Sequence, residues 1–186
     1  MSSGPATVAI PGYLAGTWKG RPVLPEIAFS VRRLMVSNTR CRFTSYDVAI
    51  ITSEEPLGAP VAATIDLAPI GTGNEPRDSQ LGFAGYFDVE KCPAMSWRSA
   101  SIHKADDGWV IDAELTLHAV TRQVPLAVEV NGSGPDQFGG QRAGFSATEQ
   151  ISRRDFGTSL AIPMDGRGLA VGDKVPISLE IEAVQK

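Results

Sequence analysis

Few side chains in this sequence are placed to do chemistry, and the two that stand out carry opposite charges. Arg33 continues the alternation of Ile27, Phe29 and Val31, so it shares the parity of an apolar face. Glu149 does the same on the parity of Ala143, Phe145, Ala147 and Ile151. A charge turned toward an apolar interior needs a partner, either an opposite charge or a polar ligand group. Two readings stay open: an internal Arg33–Glu149 ion pair, or an anionic head group held by Arg33.

Other reactive residues lack partners. A nucleophilic Ser or Cys requires a positioned base, and the chain has only two histidines. His103 falls near a strand end and His118 at a hairpin, where imidazoles are commonly surface groups. Cys41 and Cys92 read as reduced thiols, with no C-x-x-C pair and no histidine at ligand spacing for zinc. Asp106-Asp107 reads as a solvated turn. Asp155-Phe156-Gly157 copies a kinase triplet without the accompanying loops, and Gly71-Thr72-Gly73 meets Pro76 where a dinucleotide motif needs glycine. No catalytic constellation, metal site or cofactor is expected. Were the chain an enzyme, Glu149 is the residue to nominate as its acid or base.

The elements that must position these residues are strands. Val175 to Ala183 alternates apolar odd positions with mostly polar even ones, a half-buried strand with Pro176 near its start. Trp109, Ile111, Ala113, Leu115 and Leu117 alternate likewise, as do Val124, Leu126, Val128 and Val130. The residues between those runs, 118–122, are short enough for a hairpin connection. Further strands are predicted over 26–32, 42–52, 61–68, 96–104 and 142–151, with another around Trp18. Turn clusters over 105–108 and 131–136 separate them. The total is about eight or nine strands, at the spacing of a sandwich or barrel. One helix is predicted over 74–87, and a second short turn over 153–157. Closure removes exposed strand edges, which favours a closed antiparallel barrel over a sandwich.

Composition agrees. A chain of 186 residues suits one domain, and its 42% apolar content can bury a core. Nineteen glycines and 13 prolines fit many turns better than long helices. A net charge of −4 argues against nucleic-acid binding. No apolar stretch approaches the roughly 20 residues of a membrane-spanning helix. Residues 1–12 read as a flexible tail without a secretory leader, so a cytoplasmic location is expected, with 13–186 as the domain.

Five blocks, in order, resemble the YceI-like family of polyisoprenoid-binding proteins. They are residues 27–43, 70–78 with 86–93, 115–122, 153–157 and 171–175. The resemblance covers about Trp18 to Val184. It implies an all-β, lipocalin-like, extended eight-stranded antiparallel barrel with one or two short helices. It also implies a non-enzymatic function: binding, storage or transport of a long-chain isoprenoid (polyprenyl or quinone-like) or related amphiphile. The chain departs from the family where histidine is common and Arg33 stands, and where glycine is common and Cys41 and Ala119 stand. A permanent charge at Arg33 favours phosphate or carboxylate head groups.

On that reading the cavity wall comprises Ile27, Phe29, Val31, Phe43, Ile65 and Leu67 from the first half. From the second half come Trp97, Ile111, Leu115, Leu117 and Phe145, with Phe43 of unassigned parity. Phe83 and Phe87, from the predicted helix, would cap one end. Arg33, Arg77, Arg122 and Arg154 are the head-group expectation, with Arg154 alternatively paired to its neighbour Asp155. The expected partner is an isoprenoid or fatty-acyl ligand, with a homodimer left open. A barrel enzyme of the isomerase or cyclase type and a ligand-free protein-interaction barrel are the alternatives.

Overall fold

The computed structural model describes residues 16–20, 26–33, 37–52, 60–68, 70–71, 75–76, 88–158, 163–164, 168–169 and 173–185. It is almost entirely β. In chain order the strands are β1 (Gly16–Gly20), β2 (Glu26–Arg33), β3 (Ser37–Phe43), β4 (Tyr46–Thr52), β5 (Val61–Asp66), β6 (Ile70–Gly71) and β7 (Ala94–Ala105). They continue with β8 (Gly108–Leu117), β9 (Val120–Pro135), β10 (Gln141–Ser152), the short pair β11 (Pro163–Met164) and β12 (Gly168–Leu169), and β13 (Lys174–Gln185).

Eight strands close a ring, β1-β4-β5-β7-β8-β9-β10-β13, with β13 returning to pair with β1. All eight ladders of that ring are antiparallel. The second edge of β13 is shared. Its residues 183–185 face β1, while 177–180 face β2, which leads on to β3 and β6. The closed antiparallel barrel expected from the sequence is therefore present, and closure leaves the ring no free edge.

Alternation drives the closure. Ile65, Leu67 and Leu115 are fully buried, and Met95, Trp97, Ala113, Leu117, Ile177 and Leu179 join them inside. Each such Leu or Ile contributes about 1.5–3 kcal/mol on burial. Phe43, whose parity the sequence left unassigned, lies opposite Ile27 and is buried with it.

Three strand boundaries differ from expectation. The predicted strand over 42–52 is two, β3 and β4, interrupted at Thr44–Ser45, so one part pairs with β2 and the other with β1. The expected turn at 131–136 is strand, because β9 stays hydrogen-bonded to β10 as far as Pro135. A register shift at Gly144/Phe145 absorbs the extra residue, and the turn falls at Asp136–Gly140 instead. The connection after β8 is only His118 and Ala119, both at positive φ (53° and 60°), as a two-residue hairpin of the primed type requires.

The short turn expected at 153–157 is a 3-10 helix, Arg153–Phe156, ended by Gly157 in the left-handed conformation. Of the helix expected over 74–87, Glu75 and Pro76 are helical and the rest lies outside the described residues, as do residues 1–12.

Candidate functional site in the barrel interior

The two ends of the barrel differ. At one end the β8–β9 hairpin meets the 3-10 helix, with His118 Nδ1 3.2 Å from the Phe156 carbonyl oxygen. Phe156, Leu67, Leu117 and Thr158 are buried there. The Arg153 side chain is buried too, its guanidinium donating to the Thr158 carbonyl at 2.9 Å. This end is packed.

The opposite end is a lip. The β8–β9 ladder stops at Trp109 and Val128, but the β9–β10 ladder continues to Pro135 and Gln141. The β10–β13 ladder continues with it, to Arg142 and Val184. Along that extension Val130, Phe145 and Ile181 lie side by side on the inner parity and are partly exposed, while Ala143 and Ala183, the next inner pair along the ladder, are buried. The outer side is polar and cross-linked. Asn131 donates to Ser146 Oγ and Ser146 to Glu180, each at 2.7 Å, and Arg142 meets Glu182 at 2.9 Å. The lip is thus a braced ledge with an apolar inner surface.

Between lip and packed end sits the one ionisable carboxyl among the buried described residues, Glu149, with 8% of its surface exposed. Its strand neighbours at the same level are Ile177 on β13 and, by continuation of the β9–β10 register, Leu126. Four residues along β10 separate it from Phe145, about 13 Å at 3.3 Å per residue. Trp97 on β7 donates its indole N–H to Glu149 Oε1 at 3.0 Å. Oε2 is buried and has no hydrogen-bond partner among the described residues. Burial pushes the carboxyl from 4.5 up to about 7, and the Trp97 bond pulls it partly back.

A bulge lets Trp97 serve this purpose. The register of β7 with β8 shifts between Ser99 and Ser101, so Trp97 faces inward on odd parity and Ile102 on even. Periodicity alone would have turned one of them outward.

The predicted wall residues Ile27, Phe43, Ile65, Leu67, Trp97, Ile111, Leu115 and Leu117 are all buried, and Phe145 lines the lip. The side chains of Phe29, Val31 and Arg33 lie outside the description, as do Phe83, Phe87 and Arg77 altogether. The remaining arginines gather at the packed end. Arg122 is exposed at the start of β9, opposite Leu115. Arg154 is exposed and paired with Asp173 at 3.6 Å, not with its neighbour Asp155. The backbone of Arg33 stands four residues along β2 from Phe29, which is level with Ile177 and Glu149. Glu149 was legible as inward-facing from its parity. Its tie to Trp97 was not.

Comparison with known proteins agrees with this architecture. The family model described as the YceI-like domain matches residues 18–183. A UPF0312 protein of Photorhabdus laumondii is 34% identical over 131 residues, covering 70% of this chain and 68% of the relative. The crystal structure of a Campylobacter jejuni YceI protein superposes with a TM-score of 0.70 at 26% identity, covering 83% of this chain and 90% of that one. A polyisoprenoid-binding domain from Saccharophagus degradans shares the fold, with a TM-score of 0.64 at 13% identity over 91% of this chain and 98% of that one.

Proposed function

The chain belongs to the YceI-like family, and from that premise we propose that it binds, stores or carries a long-chain isoprenoid or similar amphiphile without transforming it. The observation that carries the reading is the apolar inner face of a closed barrel, partly exposed at Val130, Phe145 and Ile181 near one end. Buried apolar side chains that remain partly open to solvent at one end suit a chain entering lengthwise. The Saccharophagus degradans domain of the same fold, described as polyisoprenoid-binding, supports the ligand class.

The energetics suffice. Each five-carbon isoprene unit withdrawn from water is worth about 3–4 kcal/mol at ~0.8 kcal/mol per CH₂. Three such units reach the micromolar-to-nanomolar range before ordering costs are subtracted. Such burial has no direction, so chain length and head group must supply selectivity.

Native mass spectrometry of the protein purified from a lipid-containing host, followed by organic extraction, tests the reading. A stoichiometric long-chain lipid is expected. A protein that arrives empty and takes up neither prenyl nor fatty chains would overturn it in favour of a protein-interaction barrel.

A barrel enzyme retains one observation in its favour, a carboxyl near pH 7 inside the barrel. The two readings part on incubation with the extracted lipid. A carrier returns it unchanged, whereas an isomerase or cyclase returns a product of equal mass and altered retention.

A further inference from the structure

We infer that Glu149 Oε2 is the acceptor that fixes the ligand's polar end inside the barrel, and that this end is an uncharged hydrogen-bond donor, a hydroxyl in the first instance. The inference rests on the lipid-binding reading and deepens it by naming the head-group class.

Three observations carry it. Oε2 is buried with no hydrogen-bond partner among the described residues, while Oε1 of the same carboxyl is held by Trp97. An unsatisfied buried acceptor costs about 1–3 kcal/mol, which an incoming donor recovers. The group is also fixed in place, because the Trp97 bond crosses the barrel and prevents Oε1 from swinging round to serve instead. Finally, it lies about 13 Å from Phe145 on the lip by strand spacing, within reach of a chain that enters there.

Charge selects among donors and acceptors. A phosphate or carboxylate brought to Oε2 would meet a like charge when Glu149 is ionised, and when Glu149 is protonated it would give up its hydration for a single donor among Ile111, Leu126 and Ile177. An ammonium would have to shed its hydration in the same apolar surroundings, a cost that a single carboxylate offsets poorly. A hydroxyl loses one water and gains one acceptor. Burial sets the carboxyl near 7, and a hydroxyl suits both of its states: it donates to Oε2 when the group is ionised and accepts from Oε2 when the group is protonated. Of the four arginines expected at a head group, the two whose side chains are described, Arg122 and Arg154, are exposed at the packed end.

The test uses three probes with one chain, a C20 prenyl alcohol, its methyl ether and its phosphate monoester, titrated into the full-length protein at pH 8, where Glu149 is ionised and Oε2 can only accept. The alcohol is expected to bind about tenfold more tightly than the ether, equivalent to about 1.4 kcal/mol, and more tightly than the phosphate. In Glu149→Leu the alcohol and the ether should bind within twofold of each other. In Glu149→Gln the amide oxygen stays on the Trp97 indole N–H, so an NH2 donor replaces Oε2 and the gap between alcohol and ether should close there as well. Equal binding of alcohol and ether by the unaltered protein, or preference for the phosphate, would overturn the head-group inference while leaving lipid binding intact. If none of the three binds, the lipid-binding reading falls and takes this inference with it.

Discussion

Trp97 and Glu149, 52 residues apart in sequence, are joined inside the barrel by a 3.0 Å hydrogen bond from indole N–H to carboxyl oxygen. Two whole strands, β8 and β9, stand between β7 and β10 in the ring, so the bond crosses the interior instead of following the sheet. It orients the sole buried carboxyl of the described interior and leaves one oxygen of that carboxyl available. Removing the donor should therefore be felt in both stability and acidity. Trp97→Phe is expected to cost about 2–4 kcal/mol, from lost volume and the lost bond together. It should also move the Glu149 carboxyl above its value of about 7, since the Trp97 bond is the influence that lowers it. Denaturant unfolding checks the first and a carboxyl-labelled NMR titration the second. An unmoved titration would separate the indole from the acid.

The same carboxyl sets a pH dependence. Its folded-state value lies near 7 against an ordinary 4.5, so in that window the folded chain holds a proton that the unfolded chain has released. Stability is then greatest below about pH 4.5, falls as pH rises toward 7, and carries the full penalty above. At ~1.4 kcal/mol per unit the total is about 3 kcal/mol. Glu149→Gln should flatten this slope, seen by comparing urea unfolding of both proteins at pH 5 and pH 8. Parallel pH profiles would show that Glu149 is not its source.

The hairpin after β8 offers a gain. Ala119 holds φ near 60°, a conformation that costs an L-residue with a Cβ about 1–2 kcal/mol and costs glycine almost nothing. Ala119→Gly should stabilise the protein by roughly 1 kcal/mol, the gain being trimmed by glycine's greater freedom when unfolded. Thermal unfolding would register it as a rise of a few degrees. A fall would mean that the turn relaxes to another type.

The lip can be tested without touching the core. Phe145 is half-buried on the inner surface beside Val130 and Ile181. Phe145→Glu places a charge in the path of an entering chain at a site where water still hydrates it, so unfolding should change by no more than about 1–2 kcal/mol. Uptake of a prenyl chain should drop at least tenfold. Undiminished uptake would place the entrance elsewhere.

Much of this was written along the chain. Period-2 alternation in Trp109–Leu117, Val124–Val130 and Val175–Ala183 determined which residues face inward, because a strand's side chains alternate whatever its partner. That same parity exposed Glu149 as a charge on the wrong face, and the short polar turns marked most strand ends. Local chemistry also marked the 3-10 turn at Arg153–Phe156.

Pairing decided the rest. The glycine-rich residues 131–135 read as a turn in isolation, yet they are strand because β10 stands beside them to take their hydrogen bonds. The lip exists only because two ladders end at different lengths, a property of no single segment. The bulge at Ser99–Ser101 reverses the parity of β7, and without it Trp97 and Ile102 could not both face inward. Arg154 chose Asp173 over the adjacent Asp155 because the chain returns to it 19 residues later. Alternation is a local consequence of backbone geometry and can be read from one strand. Which side chain meets which across the barrel depends on register and closure, and those are settled only when all eight strands pair.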